Sequence, residues 1–107
     1  MPTLEFKRIV IGSKVDPALV MSGQITVSTA GTAVHGDDID LDNGVYIKAL
    51  AGNTGVVYAG NDGAGDVTSA NGFQLSQTEL FFFPVANLSD LWFDAATSGD
   101  KICWARG

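Results

Sequence analysis

Residues Gly44 to Gly60 read GVYIKALAGNTGVVYAG. The first half alternates, with Val45, Ile47 and Ala49 on one side and Tyr46 and Lys48 on the other. That is the two-residue period of a strand with one face in a core. Gly52-Asn53-Thr54-Gly55 is a turn cluster, and GVVYAG after it reads as a second short strand, the expected hairpin partner of the first. No apolar spacing of three to four residues, as a helix would need, runs through the stretch.

The same grammar extends in both directions. Downstream, Phe73 and Leu75 alternate with Gln74 and Ser76. TELFFFPV from Thr78 has large apolar groups on both faces, Leu80 and Phe82 against Phe81 and Phe83, which is expected of a central strand or of one with a face in a subunit contact. DLWFDA from Asp90 places Leu91 and Phe93 inward and Trp92 outward beside Asp90 and Asp94, and in KICWAR Ile102 and Trp104 share a face. Upstream, QITVST from Gln24 puts Ile25 and Val27 inward, and Ala33-Val34-His35 is a short piece after the Ala30-Gly31 turn. Ile39 and Leu41 alternate with Asp38, Asp40 and Asp42, and Asn43-Gly44 turns into the opening stretch. LEFKRIVI from Leu4 is a further alternating segment whose phase breaks at Lys7-Arg8, as at a bulge. Asp16 to Met21 reads as a short helix or a loop ending at Ser22-Gly23. About eight short strands at roughly ten-residue spacing predict an all-β fold, a compact β-sandwich or jelly roll of antiparallel strands. Parallel β-α-β units are excluded because there is no room for crossover helices. The expected organisation is an extended N-terminal arm over residues 1–23 and a β-sandwich domain over 24–107.

The composition narrows function. The 107 residues, 46% hydrophobic and 17% charged, suit one domain with a single core. Ten aspartates against two glutamates, with 13 glycines, favour turns over helices. A net charge of −6 argues against a nucleic-acid partner, which calls for Lys and Arg against phosphate. No apolar stretch approaches the ~18 residues of a membrane span, and the charged N-terminus does not read as a secretion signal. Residues through Lys14 carry a net +2 and those from Val15 onward a net −8. The arm is therefore either a solvated edge strand or a basic strip for a neighbouring acidic surface.

Catalytic and metal constellations are weak. GDDIDLDNG from Gly36 places Asp38, Asp40 and Asp42 at alternate positions, but the glycine and bidentate glutamate of a calcium loop are out of place. The loop with Asn61, Asp62, Gly63, Gly65 and Asp66 resembles one unstacked calcium repeat in composition only. His35 is the sole histidine and sits in no nucleophile or metal-ligand pattern. Cys103, the sole cysteine, reads as an inert thiol. No catalytic, cofactor-binding or metal-binding residue is assigned, and no cofactor is expected. Trp92 between Asp90 and Asp94 stands as an interface anchor, an ordinary packing residue or a sugar platform.

Four segments in order, QITVSTAGTAV, IKALAGNTGVVYAG, DVTSANGFQLSQTE and NLSDLWFDAATSGDKICW, resemble small virion proteins encoded among the head genes of tailed bacteriophages. The resemblance covers roughly three-quarters of the chain, from Gln24 onward. It implies a β-sandwich or jelly-roll module without enzymatic activity, serving as a capsid decoration (cement) protein, often a trimer, or as another head or tail part. Implied partners are the major capsid protein and further copies of the chain, with the protein on the capsid surface of the virion and in the host cytoplasm before assembly. Candidate interface residues are Leu4, Phe6 and Arg8 of the arm, which could add a strand to a neighbour's sheet edge, with Phe81, Phe83 and Trp92. The alternative is a carbohydrate-binding or other structural module of a phage tail or fibre, built on Trp92.

Overall fold

The computed structural model describes residues 21–63 and 65–107. Eight strands appear in chain order: β1 (Ser22–Thr26), β2 (Val34–His35), β3 (Val45–Ala49), β4 (Val57–Gly60), β5 (Phe73–Leu75), β6 (Leu80–Phe83), β7 (Trp92–Ala95) and β8 (Lys101–Arg106). They form two four-stranded sheets, one in the order β1-β8-β3-β6 and the other in the order β2-β7-β4-β5. Every pairing is antiparallel.

This order has a simple origin. β1 pairs with β8, β2 with β7, β3 with β6 and β4 with β5. The chain is in effect one long hairpin, doubled back at residues 61–72 and then rolled so that β3 also meets β8 and β4 meets β7. That is the jelly roll, one of the two architectures that the strand spacing predicts. Rolling lets both sheets turn an apolar face inward. Val45, Ile47 and Ala49 of β3 and Ile102 and Trp104 of β8 face Val57 and Ala59 of β4 and Phe93 and Ala95 of β7, all buried. The alternation read in the sequence for β3, β7 and β8 is the alternation observed. In β1, Gly23 lies opposite Trp104, and a Cβ there would stand 3.0 Å from the indole nitrogen. The glycine leaves room for the buried ring.

Strand partners differ from expectation in one important place. Residues 45–49 and 57–60 are not a hairpin: β3 and β4 lie in opposite sheets. The intervening turn crosses the sandwich because it is bound to the β7–β8 turn. The buried Asp100 carboxylate accepts the amides of Thr54 and Gly55 at 2.9 and 2.8 Å. Asn53, also buried, exchanges two hydrogen bonds with the backbone of Lys101, at 2.8 and 2.9 Å. Gln77 reaches the same turn through Asn53 O at 2.9 Å. These fixed contacts outweigh the local preference for a tight hairpin.

Three other expectations are corrected. The strand at Leu80–Phe83 is an edge, paired only with β3, not a central strand. Asp38 to Asp42 form no continuous strand; a single bridge joins Asp40 to Asn87, although Leu41 is buried as its alternation implies. The strand expected from Asp90 begins at Trp92, because Leu88–Asp90 is a 3-10 turn. Asn87 caps it, accepting Ser89 N at 2.9 Å while Asp90 accepts Asn87 N at 3.2 Å. β1 starts at Ser22, so Ser22 and Gly23 belong to the sheet. Residues 1–20 of the expected arm, with Leu4, Phe6, Arg8 and the segment Asp16 to Val20, lie outside the described residues.

Asp100→Ala strands two amides in a buried turn. Hydrogen bonds to charged groups contribute about 1.5–3 kcal/mol each, so urea unfolding is expected to report a loss of about 3 kcal/mol. Asp100→Asn, which keeps one acceptor oxygen, is expected to fall between the two. A cost below about 1 kcal/mol for the alanine variant, the size of an ordinary surface substitution, would remove Asp100 from its organising role.

Candidate functional site

The strand order assigns every side chain to one of four surfaces: two inner faces, which make the core, and two outer faces. Of the outer faces, that of β2-β7-β4-β5 carries His35, Trp92, Tyr58 and Asp94, as the register shows. Loops cover much of it. Gly63 passes so close over Trp92 that a Cβ would fall 2.5 Å from the indole ring, and at Gly72 a Cβ would fall 2.6 Å from Tyr58 Cβ. Val67, the one large apolar residue in the 61–72 loop, is buried, and so is Tyr58. The loop is closed on itself by Asp66, which accepts the amides of Asn61 and Asp62 at 2.9 and 2.8 Å.

This placement bears directly on the sequence candidates. Trp92 is half-buried, with the His35 ring edge-on at 4.9 Å and Gly63 above it. Asp94, read as an outward rim beside Trp92, is buried and accepts the amide of Gly31 at 2.9 Å. It anchors the β1–β2 loop and does not face a ligand. His35 directs Nδ1 to its neighbour's carbonyl, Gly36 O, at 2.7 Å. Asp38 and Asp40 both accept from the Asn87 amide, at 2.8 and 3.1 Å. Arg106 donates to Asp40 O at 2.7 Å and lies 3.9 Å from the exposed Asp42 carboxylate. One carboxylate oxygen each of Asp38 and Asp40, and both of Asp66, are thus engaged by the protein itself. Among the described residues, no three His, Cys, Asp or Glu side chains are gathered as a metal site.

Phe81 and Phe83 occupy the inner face of β6, opposite Ile47 and Val45. They meet Phe73 of β5 across the sandwich, with ring centroids 4.5 Å apart for Phe73–Phe81 and 5.9 Å for Phe73–Phe83. β5 and β6 are the edge strands of their sheets, so this trio closes the open side of the roll. Phe81 is nevertheless 45% exposed. Beside the trio is a recess of about 370 Å³, with Phe73, Phe83, Val85 and Leu91 on its apolar side and Asn61, Asp66 and Asn71 at its rim.

The outer face of β1-β8-β3-β6 is different in kind. Its outward residues are Ser22, Gln24 and Thr26 of β1, Lys101, Cys103 and Ala105 of β8, Tyr46 and Lys48 of β3, and Leu80 and Phe82 of β6. Leu80 is 58% exposed, Tyr46 43% and Phe82 37%, with the last two rings 5.0 Å apart. Half-buried Cys103 lies in a shallow groove of about 440 Å³ between Gln24, Tyr46, Lys48 and Leu80. None of the ten outward residues is acidic. Tyr46, Leu80 and Phe82 are its exposed apolar part, set beside Ser22, Gln24, Thr26 and the two lysines. The sequence shows Tyr46, Lys48 and the phenylalanine run as outward or two-faced, but their gathering depends on β3 pairing with β6, and that of Gln24, Cys103 and Lys101 beside them on β8 lying between β1 and β3. No short-range signal encodes that.

Comparison with protein-family models, with curated proteins and with solved structures finds no match.

Gly63→Ala is expected to lift the 61–72 loop from Trp92. Overpacking of this kind costs about 1–3 kcal/mol, and the tryptophan emission should shift to longer wavelength. An unchanged spectrum and melting temperature would mean that the loop does not seal this face.

Proposed function

We propose that the protein is a non-enzymatic structural protein of a bacteriophage virion, a capsid decoration protein that stabilises the head by bridging capsid subunits. The observation that carries this reading is the inequality of the two outer faces. One is sealed by loops, while the other presents Tyr46, Leu80 and Phe82 with no covering element among the described residues. A protein that binds a repeating lattice works through such a surface, and symmetric assembly repeats the contact in every copy. The segments that resemble phage head proteins span this same domain and add to the reading. The jelly roll is compatible with it, since viral capsid domains use the fold, but lectins and cupins use it too. Trp92, held between His35 and Gly63, gives the sugar-platform alternative little support.

The test has two parts. Light scattering of the full chain is expected to give a trimer, three times the 11.2 kDa of one chain. Shells assembled from the major capsid protein of the same virion should bind the protein saturably. A chain that stays monomeric and leaves such shells bare overturns the reading.

A further inference from the structure

We infer that the outer face of β1-β8-β3-β6 receives the acidic loop end of a second copy of this chain, giving a head-to-tail contact. This rests on the oligomeric part of the reading above and names its interface.

The argument is one of charge placement. The described residues hold three bases and ten acids. Arg106 is engaged at its own loop end, with Asp40 O and the Asp42 carboxylate. The other two bases, Lys48 and Lys101, both stand on the exposed apolar face, with no ion pair among the described residues. The acids of the loops 36–44 and 84–91 lie at one end of the roll: Asp37, Asp38, Asp40, Asp42 and Asp90, all exposed. Face-to-face packing of two copies would leave the lysines without a carboxylate, since none of the ten outward residues is acidic. A head-to-tail contact instead sets the two lysines against carboxylates and covers Tyr46, Leu80 and Phe82. A contact of that kind closes into a ring when its rotation permits. Charges of this sort steer encounter and select register, while the apolar centre supplies the affinity.

Cys103, the only cysteine, lies in the groove of this face and reports on its coverage. The rate at which a disulfide reagent modifies Cys103 in the full chain is measured across protein concentration. Modification is expected to slow by about tenfold or more once the assembled state dominates, and raised salt should restore the fast rate. Lys48→Glu/Lys101→Glu and, separately, Asp37→Lys/Asp42→Lys should each be folded, monomeric and fast-reacting. Mixing the two variants should restore association, because each then meets the opposite charge. Equal reactivity at all concentrations overturns the inference, and so does protection in a chain that light scattering shows to be monomeric, in which case the chain covers its own face. Charge variants that associate like the wild type overturn it too. If the charge variants still bind capsid shells, the decoration reading stands whatever the fate of this interface.

Discussion

Two hydrogen bonds from adjacent amides to one buried carboxylate set the topology of this chain. Asp100 accepts Thr54 N and Gly55 N, and by doing so joins the turn that leaves β3 to the turn that enters β8. Both turns carry the chain between sheets, so fastening one to the other makes the two crossings a single structural unit. Asn53 adds the backbone of Lys101, and Gln77 adds the β5–β6 turn. A buried carboxylate without such partners would be costly. With them, its demand for donors becomes a positional constraint, and the inner faces of both sheets come into register around Phe93 and Ile47.

The strands themselves were largely legible in the sequence. Val45, Ile47 and Ala49, then Leu91 and Phe93, then Ile102 and Trp104 are buried as their alternation implies, because period-two patterning is a local property of a half-buried strand. Pairing was not legible. Gly44 to Gly60 carries every local sign of a hairpin, and a contact with a residue almost half the chain away overrides it. Asp94 failed for the same reason: polar and next to Trp92, it looks like surface, but Gly31 N supplies a donor from a distant loop. The outer face of β1-β8-β3-β6 was legible residue by residue and not as a surface, since it exists only when β6 pairs with β3 and β8 separates β1 from β3.

The two outer faces show how the same sheet architecture is finished in two ways. On β2-β7-β4-β5 the longest loop folds down, with glycines at its closest approaches to Trp92 and Tyr58 and Val67 as its buried foot. On β1-β8-β3-β6 no described loop plays that part, and the side chains are mixed aromatic, aliphatic and cationic. Edge strand β6 continues this surface around the side of the roll, where Phe73, Phe81 and Phe83 stack on one another and remain partly in water. A long apolar edge is a hazard in an isolated monomer. It is tolerable where the edge is short, as here at four residues, with Pro84 just beyond it.

The nested pairing of the roll also has a consequence in time. β4 and β5 are separated by a single loop, whereas β1 must find β8 across nearly the whole described chain. Each outward step of the nest closes a longer loop for a similar number of contacts, which places this fold among the slow, high-contact-order topologies. β8 is the strand between β1 and β3, so the first sheet cannot be completed until Lys101–Arg106 has been synthesised. Closure therefore waits for the last of the eight described strands. The route back is equally indirect: once β8 is inserted between β1 and β3, removing it requires extracting a strand held on both sides, a barrier that lends the folded state persistence beyond its equilibrium stability.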